Sequence, residues 1–468
     1  MTALSSLPEG TAVAIGDRVV ALPAIPPGHR VMPVARAGQL VIIGPEAYAE
    51  ARRAVMSAAE AARQLARAPA EAVTRFFDGF AGRLEDDAAW AAITRANEAD
   101  VASALARGRS TTRLRVSDAM RVAMIEGLRA WARTAPRVGE IVERRQGSDF
   151  VLERRRAPLG VVAFVFEGRP NVLADGAGVI RNGNAAVMRI GGDALGTAEA
   201  LLAEAIAPAL RGAGLPEGAV SLVRSRDHGA GQALFTFSEV RLAVARGSGP
   251  TVALLGAIAE QHGIPSSLHG TGGAWLVVEE TAAPEAVESA IRNSLDRKVC
   301  NTLNVVLVTE AALAPHGARV AQVLASLGAK VHAVAGREGP FRGEPLAEGE
   351  LGREWEWEQT PEVTVAVVRD LDEAAVLFNR YSPRFIACIL SGRSDAVEDL
   401  YARVDAPFVG NGFTRWVDGQ WAWLRPELGL TNWESGRLLG RSGFLSGDDI
   451  TTVRDVFLDA SGRAPQRR

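Results

Sequence analysis

"GVVAFVFEGRPNVLADGAGVIRNGNAAVMRI", residues 160–190, is the stretch that decides the fold class. It opens with a continuous apolar run, passes through a short polar loop into a segment with helical spacing, and closes with a second apolar run. Two strands that are apolar on both faces and joined by a helix are typical of parallel sheets with helices on either side. The stretch therefore predicts a β-α-β unit in an α/β protein.

The same alternation of strands and helices continues beyond this unit. Continuous Val/Ile/Leu runs separated by amphipathic segments follow one another as far as "FIACILSG", with a break near residues 281–300. There are enough strands for two parallel sheets, each covered on both faces. We therefore expect two parallel-sheet domains.

The regions on the N-terminal side have other patterns. Short Val- and Ile-rich runs separated by Gly and Pro predict a small β-rich extension over residues 1–44. Apolar residues at three- and four-residue spacing predict helices from 45 to about 134. Period-two patterning on either side of "GSD" predicts a β-hairpin over 137–156.

The composition is that of an ordinary globular protein. Of the 468 residues, 47% are hydrophobic and 23% are charged, and the formal net charge is −3. No block of like charges and no run of about eighteen apolar residues occurs, so we expect neither a nucleic-acid partner nor a membrane span. The N-terminus shows no signal-peptide pattern, which predicts a cytoplasmic protein.

The cysteines and histidines argue against a metal site. The two cysteines, Cys300 and Cys388, have neither metal-ligand spacing nor the number expected of a disulfide framework, which fits a reducing compartment. The six histidines form no HxH or HExxH pattern. Lysine occurs only at Lys298 and Lys330, so an anion site has to rely on arginine or on backbone N–H groups.

Cys300 lies in "NSLDRKVCNTLNVVLV", just before an apolar run that predicts a strand. The neighbouring Arg297 and Lys298 would lower the pKa of its thiol and favour a nucleophilic thiolate. The alternative is a small apolar filler at the start of a core strand. Cys388, in the middle of "RFIACILSG", is predicted to be buried and inert.

Two polar residues follow the strands of the β-α-β unit. Asn171 begins the helix and can donate a side-chain N–H to an oxyanion, or it can merely cap the helix. Arg189 ends the second strand, before Gly191 and Gly192. It can hold a ribose phosphate while the glycines let the backbone come close, or it can be a surface arginine at a strand end.

The stretch "ARGSG" ends another strand with Arg246, Gly247, Ser248 and Gly249. A helix is predicted to start at Pro250, and free N–H groups at a helix N-terminus favour anions. The pattern is not G-x-G-x-x-G, and it is weak evidence for a cofactor site by itself.

Together these stretches resemble the aldehyde dehydrogenase superfamily and, within it, the γ-glutamyl phosphate reductases. "APLGVVAFVFEGRPNV" resembles that family's "PLGV" followed by a strand and "ESRPNV". "VCNTLNVVLV" is similar to "CNALETLLV", and "NGFTRWVDG" and "ELGLT" are similar to "NASTRFADG" and "EIGIST". The resemblance runs from about residue 48 to the C-terminus, with the motifs in the family order.

The resemblance implies two Rossmann-like domains, an oligomerisation flap and a homo-oligomer, either a dimer or a tetramer. The flap would combine the hairpin at 137–156 with the C-terminal tail. The implied segments are a β-rich extension (1–44) and an NADPH-binding domain that contains the hairpin (45–282). They are followed by a catalytic domain that carries Cys300 (283–405) and by a C-terminal return segment with the oligomerisation tail (406–468).

The resemblance also implies an NADPH-dependent reduction of an acyl phosphate, by default L-glutamyl 5-phosphate. Cys300 would attack the acyl group and release phosphate, and the resulting thioester would accept hydride and collapse to the semialdehyde. Asn171 and the Cys300 backbone N–H would form the oxyanion hole. Arg189 would contact the adenosine ribose, and the loop 246–249 would face the pyrophosphate or nicotinamide.

The implied substrate contacts are Arg169, Asn301 and Arg415, and the implied macromolecular partner is glutamate 5-kinase. Arg415 can grip a substrate carboxylate, but a structural salt bridge explains it equally well.

The stretch "HGTGGAWLVV" bears on the direction of the chemistry. Oxidative aldehyde dehydrogenases carry "ELGG", whose Glu activates the water that hydrolyses the thioester. Aligning Gly272 and Gly273 with those glycines places Gly270 where that Glu would be. Without the base the thioester survives to accept hydride or phosphate, which favours an acyl-phosphate reductase over an aldehyde oxidase.

Departures from the family pattern leave the acyl group open. Thr271 replaces an Asp, "RYSPRF" brings in Arg384, and "WAWLRP" (421–426) replaces a Gly-rich segment. Arg384 can bind a substrate carboxylate or form a structural salt bridge. The alternatives are a paralogous reductase for another acyl phosphate or an acyl-CoA, and a non-catalytic scaffold, which the retained Cys300 and Asn171 disfavour. The choice between NADPH and NADH also stays open.

Overall fold

The computed structural model describes residues 8–109, 111, 113–423, 427–432 and 443–459. The N-terminal extension consists of two small antiparallel sheets. They pair β1 (Ala12–Ile15) with β2 (Arg18–Ala21), and β3 (Arg30–Val34) with β4 (Gln39–Ile43). The predicted β-rich extension is confirmed for its described part, and residues 1–7 lie outside the described residues.

A helical region follows, as the apolar spacing predicts. Its members are α1 (Pro45–Leu65), α2 (Ala70–Glu85), α3 (Asp87–Ala106) and α4 (Asp118–Arg133). The apolar stripe of α2 is completely buried at Phe76, Phe77 and Phe80. Ser117 caps α4, since its side chain accepts a hydrogen bond from the Met120 N–H at 3.2 Å.

The predicted hairpin is present, with β5 (Ile141–Gln146) and β6 (Phe150–Pro158) pairing antiparallel around the "GSD" turn. The first parallel sheet follows it. Its strands are β7 (Val161–Phe166), β8 (Ala185–Ile190), β9 (Val220–Val223), β10 (Val240–Arg246) and β11 (Ser266–His269). Its helices are α5 (Val172–Gly176), α6 (Leu195–Leu201), α7 (Ala207–Ala213), α8 (His228–Leu234) and α9 (Gly249–Gln261).

The strand order of this sheet is β11-β10-β7-β8-β9. β10, β7, β8 and β9 pair in parallel. Every residue of β7 and β8 is buried, which explains why both strands read as continuous apolar runs.

The second sheet has seven strands in the order β15-β14-β16-β13-β12-β17-β18, all paired in parallel. They are β12 (Ala274–Val278), β13 (Leu303–Thr309), β14 (Lys330–Val334), β15 (Glu344–Leu346), β16 (Glu362–Val368), β17 (Ile386–Leu390) and β18 (Phe408–Gly410). Its helices are α10 (Pro284–Ser294), α11 (Ala318–Ser326), α12 (Leu371–Tyr381) and α13 (Ala396–Arg403), and a short α14 (Gln420–Trp423) comes after β18.

Alternate residues of β12 enter two separate hydrophobic cores. Leu276 packs into one, whereas Trp275 and Val277 pack into the other. Successive side chains of a strand point to opposite faces, so this sheet is buried on both. The prediction of an α/β fold with parallel sheets covered on both faces is confirmed.

The last strands are β19 (Glu427–Leu430), β20 (Phe444–Ser446) and β21 (Thr451–Asp459). β19 and β20 form a two-stranded sheet. β21 pairs antiparallel with β6, giving a three-stranded sheet in the order β21-β6-β5, which we call the flap. The hairpin and the C-terminal tail therefore join as the family resemblance implies.

The chain forms two compact units. The first comprises Met1–Leu268, Arg425–Gly429 and Leu445–Arg468, and the second comprises His269–Leu424 and Leu430–Phe444. The first contains the extension and the flap, and the second contains the seven-stranded sheet. The functional boundaries expected from the sequence stay predictions. No helix in the described part of the chain combines the length and apolar character needed to cross a membrane.

Candidate active site

The loops after β7 and β10 lie side by side at the carboxyl edge of the five-stranded sheet. β7 continues toward β8 on one side, whereas β10 continues toward β11 on the other. Such a reversal of strand order leaves a crevice at the carboxyl ends, where open α/β sheets bind ligands. The Glu167 N–H donates to the carbonyl oxygen of Arg246 at 3.1 Å, so the "FEGRPN" and "ARGSG" motifs are in direct contact.

Asn171 does not cap the helix that follows it. Its backbone is already helical, with φ −76° and ψ −18°, and its side chain makes no capping hydrogen bond. The capping alternative is therefore wrong. Instead, Nδ2 of Asn171 donates to Oδ2 of Asp175 at 2.9 Å. The role of Asn171 as an oxyanion donor stays a prediction.

Asp175 is a carboxyl group that the sequence motifs do not single out. It is partly buried, and loss of hydration raises its pKa to about 7. The nearby charge of Arg246 lowers this pKa, whereas that of Glu427 raises it. Arg246 and Glu427 form an ion pair, with Nη1 and Oε1 3.4 Å apart. The signal that could have identified Asp175 is its position four residues after Asn171, which places the two on the same helix face.

Arg189 lies at the end of β8 with its guanidinium buried. The residue is 6% exposed, so the surface-arginine alternative is wrong. Nη2 donates to the Arg226 carbonyl oxygen at 3.2 Å, whereas the buried Nε has no hydrogen-bond partner among the described residues. Burial lowers the pKa of this guanidinium. A buried cation with an unused donor fits a ribose oxygen or phosphate, because phosphate oxygens accept strong charge-assisted hydrogen bonds.

The two glycines after β8 have different reasons to be glycine. A Cβ on Gly191 would lie 2.5 Å from the backbone nitrogen of Gly168, so this position is required for the loops to touch. A Cβ on Gly192 would meet nothing closer than 3.7 Å, the Cγ of Arg226. Gly191 therefore serves the packing of the chain, and Gly192 leaves space at the surface of the loop.

The N-terminus of α9 presents backbone N–H groups that no side chain caps. Ser248 is the N-cap residue, but its Oγ is 3.0 Å from Oγ1 of Thr251 and accepts no helix N–H. Gly247 before it is open, since a Cβ there would meet nothing within 4 Å. Uncapped N–H groups at a helix start bind anions well. With Arg189, this helix start suits the phosphates of a dinucleotide.

In the second unit, Cys300 occupies a tight turn just before β13 and is partly buried. Thr302 closes the turn, because its Oγ1 accepts from the Val299 N–H at 2.9 Å and donates to the Arg297 carbonyl at 2.8 Å. The Gly273 N–H donates to the Cys300 carbonyl oxygen at 2.8 Å. The backbone that carries the thiol is therefore held from both sides.

Cys388 contrasts with it, as the sequence predicts. It lies in the middle of β17 with no exposed surface. Burial raises the pKa of its thiol, so Cys388 stays protonated and unreactive.

The "HGTGG" loop packs directly on the Cys300 turn. A Cβ on Gly272 would lie 2.6 Å from the Cys300 carbonyl oxygen. The Gly272 N–H donates to Oε2 of Glu354 at 2.6 Å, and Oε1 of Glu354 pairs with the Lys298 ammonium. Both oxygens of this carboxylate are thus engaged. Glu354 could not be found from the sequence, because it lies far along the chain in a loop without a recognisable motif.

Lys298 has a different role from the one its position suggests. The sequence places it two residues before Cys300, where its charge would favour a thiolate. Its side chain is 5% exposed and its ammonium pairs with Glu354, so that carboxylate offsets the charge. Lys298 therefore anchors the Cys300 turn to the Glu354 loop.

Two predicted substrate contacts already have partners within the chain. Nη2 of Arg169 is 2.5 Å from Oε1 of Glu167. Nδ2 of Asn301 donates to Oδ2 of Asp418 at 2.8 Å. Each keeps one buried polar atom without a hydrogen bond in the described structure, Nε of Arg169 and Oδ1 of Asn301. Their contact with substrate stays a prediction.

The other arginines near the second sheet also form structural contacts. Nη1 of Arg415 pairs with Oδ1 of Asp296 at 2.7 Å, so the salt-bridge alternative is formed. Arg384 adopts a left-handed backbone, with φ 52°, and its Nε and Nη2 both donate to the Asn379 carbonyl oxygen at the end of α12. Arg384 thus supplies hydrogen bonds to a carbonyl oxygen in the last turn of the helix.

The remaining departures are only partly described. The Thr271 carbonyl accepts a hydrogen bond from Nδ2 of Asn432 at 2.8 Å. In "WAWLRP", residues 424–426 lie outside the described residues. Over the described ranges, no group of three or more His, Cys, Asp or Glu side chains is arranged to hold a metal ion.

Comparison with known proteins shows the family of the chain. The aldehyde dehydrogenase family model matches residues 34–335. A γ-glutamyl phosphate reductase from Afipia carboxidovorans is 32% identical over 381 residues, covering 79% of this chain and 87% of that protein. One from Rhodopseudomonas palustris is 31% identical over 406 residues, covering 84% and 91%.

Solved structures show the same fold. The crystal structure of γ-glutamyl phosphate reductase from Thermotoga maritima superposes with a TM-score of 0.80 at 23% identity, and the match covers 89% of this chain and 100% of that one. The chain belongs to the aldehyde dehydrogenase family and, within it, to the relatives of the γ-glutamyl phosphate reductases.

Proposed function

We propose that the chain is an NADPH-dependent acyl-phosphate reductase that converts L-glutamyl 5-phosphate to the semialdehyde and phosphate. The observation that carries the proposal is the Cys300 turn. The backbone of Cys300, a partly buried residue, is held against a glycine loop, and the carboxylate that contacts this loop, Glu354, has both oxygens engaged. The names of the curated relatives support the substrate and its place in proline biosynthesis.

The first step is acyl transfer to Cys300. The thiolate sulfur attacks the acyl carbon, a C–S bond forms, and the bond from that carbon to the phosphate oxygen breaks. Phosphate leaves with the electron pair, and the enzyme carries a thioester. Because the Thr302 hydrogen bonds fix the turn, the sulfur needs little reorganisation to reach the acyl carbon.

Asn171 and the Cys300 N–H would stabilise the oxyanion that develops on the acyl oxygen. Loss of one such donor typically lowers kcat by about 10²–10³-fold. Nδ2 of Asn171 also donates one hydrogen bond to Asp175, which leaves its second N–H for the developing charge.

Members of the aldehyde dehydrogenase family use a nicotinamide cofactor. In this chain, Arg189 with Gly192 would bind the adenosine ribose and its 2′-phosphate, and the start of α9 at Ser248 would bind the pyrophosphate. The buried Nε of Arg189 without a partner supports this assignment. When bound, NADPH supplies the hydride that reduces the thioester carbon.

The reduced adduct on Cys300 then collapses. The C–S bond breaks, its electron pair returns to sulfur, and the oxyanion becomes the carbonyl of the semialdehyde. Hydrolysis of the thioester is disfavoured because Gly270 supplies no side-chain base and Glu354 already holds Lys298 and the Gly272 N–H.

The reverse reaction tests the proposal. Glutamate semialdehyde and NADP⁺ are incubated with the enzyme with and without phosphate or arsenate, and NADPH is followed by absorbance. We expect NADPH production that depends on phosphate or arsenate and is faster with NADP⁺ than with NAD⁺. Production that needs neither anion, or none with any short semialdehyde, would contradict the proposal. A panel of rival semialdehydes distinguishes a paralogous substrate.

We also propose that the flap joins copies of the chain, since members of this family are commonly oligomers. The flap exposes large apolar side chains, which monomers rarely leave uncovered in one place. They are Ile141, Val142, Val453, Phe457 and Leu458, each 45–52% exposed. Light scattering on the purified chain is expected to give the mass of a dimer or tetramer, and a monomer at micromolar concentration would refute this.

A further inference from the structure

Asp175 has no step in the chemistry above, yet it touches the proposed oxyanion donor. It lies on α5, one helical turn after Asn171, and its Oδ2 accepts a hydrogen bond from Nδ2 of that residue at 2.9 Å. α5 is short, and the four residues around Asp175 on this helix are buried, so the carboxyl group has little freedom to move. The contact between the two side chains is therefore a fixed part of the loop after β7.

An asparagine amide has two flips that differ only in which end carries the N–H groups. In one flip, Nδ2 of Asn171 faces Asp175 and keeps its second N–H for an oxyanion. In the other, Oδ1 takes the place of Nδ2, and its negative dipole end would oppose an oxyanion. An ionised carboxylate only accepts hydrogen bonds, so it selects the first flip. A protonated carboxyl group can donate its O–H to Oδ1 and thus permits the second.

We propose that Asp175 is a positioning residue, whose ionised carboxylate holds the Asn171 amide in the flip that donates to the acyl oxyanion. The inference deepens the proposed function and rests on it, since Asn171 has an oxyanion to stabilise only if Cys300 forms the thioester.

The charges around Asp175 make an ionised carboxylate compatible with this role. Arg246 from β10 and Arg169 from the loop after β7 both attract it, whereas Glu427 from β19 repels it. Glu427 is paired with Arg246, and Glu167 with Arg169. The two ion pairs are each neutral, so the arginines favour ionisation of Asp175 while its carboxylate adds one net negative charge beside the donor, and the test below measures whether orientation of the amide outweighs that charge.

The pKa of Asp175, raised to about 7, places this switch near neutral pH. Since the ionised form is the productive one, its contribution is present above the pKa and is lost as pH falls through it. Asn at this position is uncharged at every pH and can either donate or accept, so it admits both flips throughout. The difference between the unmodified enzyme and Asp175→Asn therefore isolates the effect of the carboxylate.

The test compares the two proteins across pH in two assays. One is the phosphate-dependent reverse reaction. The other is the burst of p-nitrophenol on acylation of Cys300 by p-nitrophenyl acetate, which needs no cofactor. We expect the ratio of rates, unmodified over Asp175→Asn, to be close to one below pH 6 and to rise to about tenfold at pH 8, in kcat rather than KM.

The opposite results overturn the inference. A ratio that is constant with pH means that Asp175 only supports the fold, and a ratio that falls with rising pH means that its charge opposes the oxyanion. An unmodified enzyme inactive in both assays refutes the proposed function itself, so the two failures are distinguishable.

Two further variants guard against a purely structural effect. Asp175→Glu keeps an ionisable acceptor, so the ratio of its rate to that of Asp175→Asn is also expected to rise with pH. Asp100→Asn is the matched control, because Asp100 is also buried in the first unit and accepts from the N–H and Oγ1 of Thr197 at 2.7 and 2.8 Å. It is expected to lower thermal stability without changing the pH dependence. If Asp175→Asn does not fold, Asp175→Glu decides: its rate is expected to rise with pH around a midpoint displaced from that of Asp100→Asn, because the ionising group at position 175 has changed, and an undisplaced midpoint would overturn the inference.

Discussion

The two units place their candidate functional residues at opposite ends of their sheets. In the first, Asn171 and Ser248 follow the carboxyl ends of β7 and β10, and Arg189 lies at the carboxyl end of β8. In the second, Cys300 precedes the amino end of β13, and Gly272 precedes that of β12. A carboxyl edge offers loops and helix starts that bind anions, which suits a cofactor. An amino edge offers a tight turn braced by neighbouring backbone, which suits a nucleophile that must not move.

The largest expected effect concerns the thiol at the amino edge. Cys300→Ala is expected to lower activity by roughly 10⁴-fold or more, because no thioester can form. Cys388→Ala, in the core of the same sheet, is the matched control and is expected to keep activity while lowering stability by about 1–2 kcal/mol. Thiol labelling and steady-state rates measure both. Equal losses in the two variants would remove the distinction between the cysteines.

The next effect concerns the bracing of that turn. Gly272→Ala places a Cβ only 2.6 Å from the Cys300 carbonyl oxygen, so the turn must shift. A displacement of this kind is expected to cost about 10²-fold in kcat. Gly349→Ala is the control in the same unit, since a Cβ there meets nothing within 4 Å. Stopped-flow acylation checks both, and a Gly272→Ala enzyme with normal kcat would mean that the amino edge tolerates movement.

At the carboxyl edge the expected effect is on binding rather than turnover. Arg189→Met removes the buried charge but keeps most of the stem, and we expect KM for NADPH to rise about 10–100-fold with kcat little changed. Arg224→Met, an exposed arginine paired with Glu199, is the control. A fall in kcat at unchanged KM would mean that Arg189 acts in the chemical step. It would contradict the assignment of cofactor binding to the carboxyl edge.

The smallest expected effect concerns Glu354. Glu354→Gln leaves the buried Lys298 ammonium without its carboxylate, which is expected to cost about 3 kcal/mol of unfolding free energy. Turnover should change by less than about threefold, because the carboxylate holds protein groups and does not act as a base. Glu356→Gln, 66% exposed and 3.8 Å from Lys298, is the control for denaturant melts. A large drop in turnover without a stability loss would make Glu354 a catalytic group.

The carboxyl edge was more accessible to prediction than the amino edge. Strands such as β7 and β8 are buried on both faces, so their continuous apolar runs reveal the sheet, and the polar residues that follow them mark its carboxyl edge. Cys388 was predictable for the same reason. Arg189 was located by its place at a strand end, but its burial depends on Arg226 and other residues that converge only in three dimensions.

The contacts that escaped prediction all join residues distant in sequence or replace a local rule. Glu354 reaches Gly272 and Lys298 from another loop, and no pattern near Cys300 announces it. Asn171 follows the rule for a helix cap in sequence, but its side chain bonds to Asp175 instead. Local propensity describes what a residue can do in isolation, whereas the fold decides which partner it meets.

The contact between Gly168 and Gly191 limits how this enzyme can be redesigned. The loops after β7 and β8 touch there backbone to backbone, and they carry Asn171 and follow Arg189, respectively. A side chain at 168 would meet its nearest neighbour at 3.4 Å and can be accommodated, whereas one at 191 would displace the opposite loop. The loop that carries Asn171 and the loop that follows Arg189 therefore meet at bare backbone, so a substitution at position 191 made to alter one loop also displaces the other.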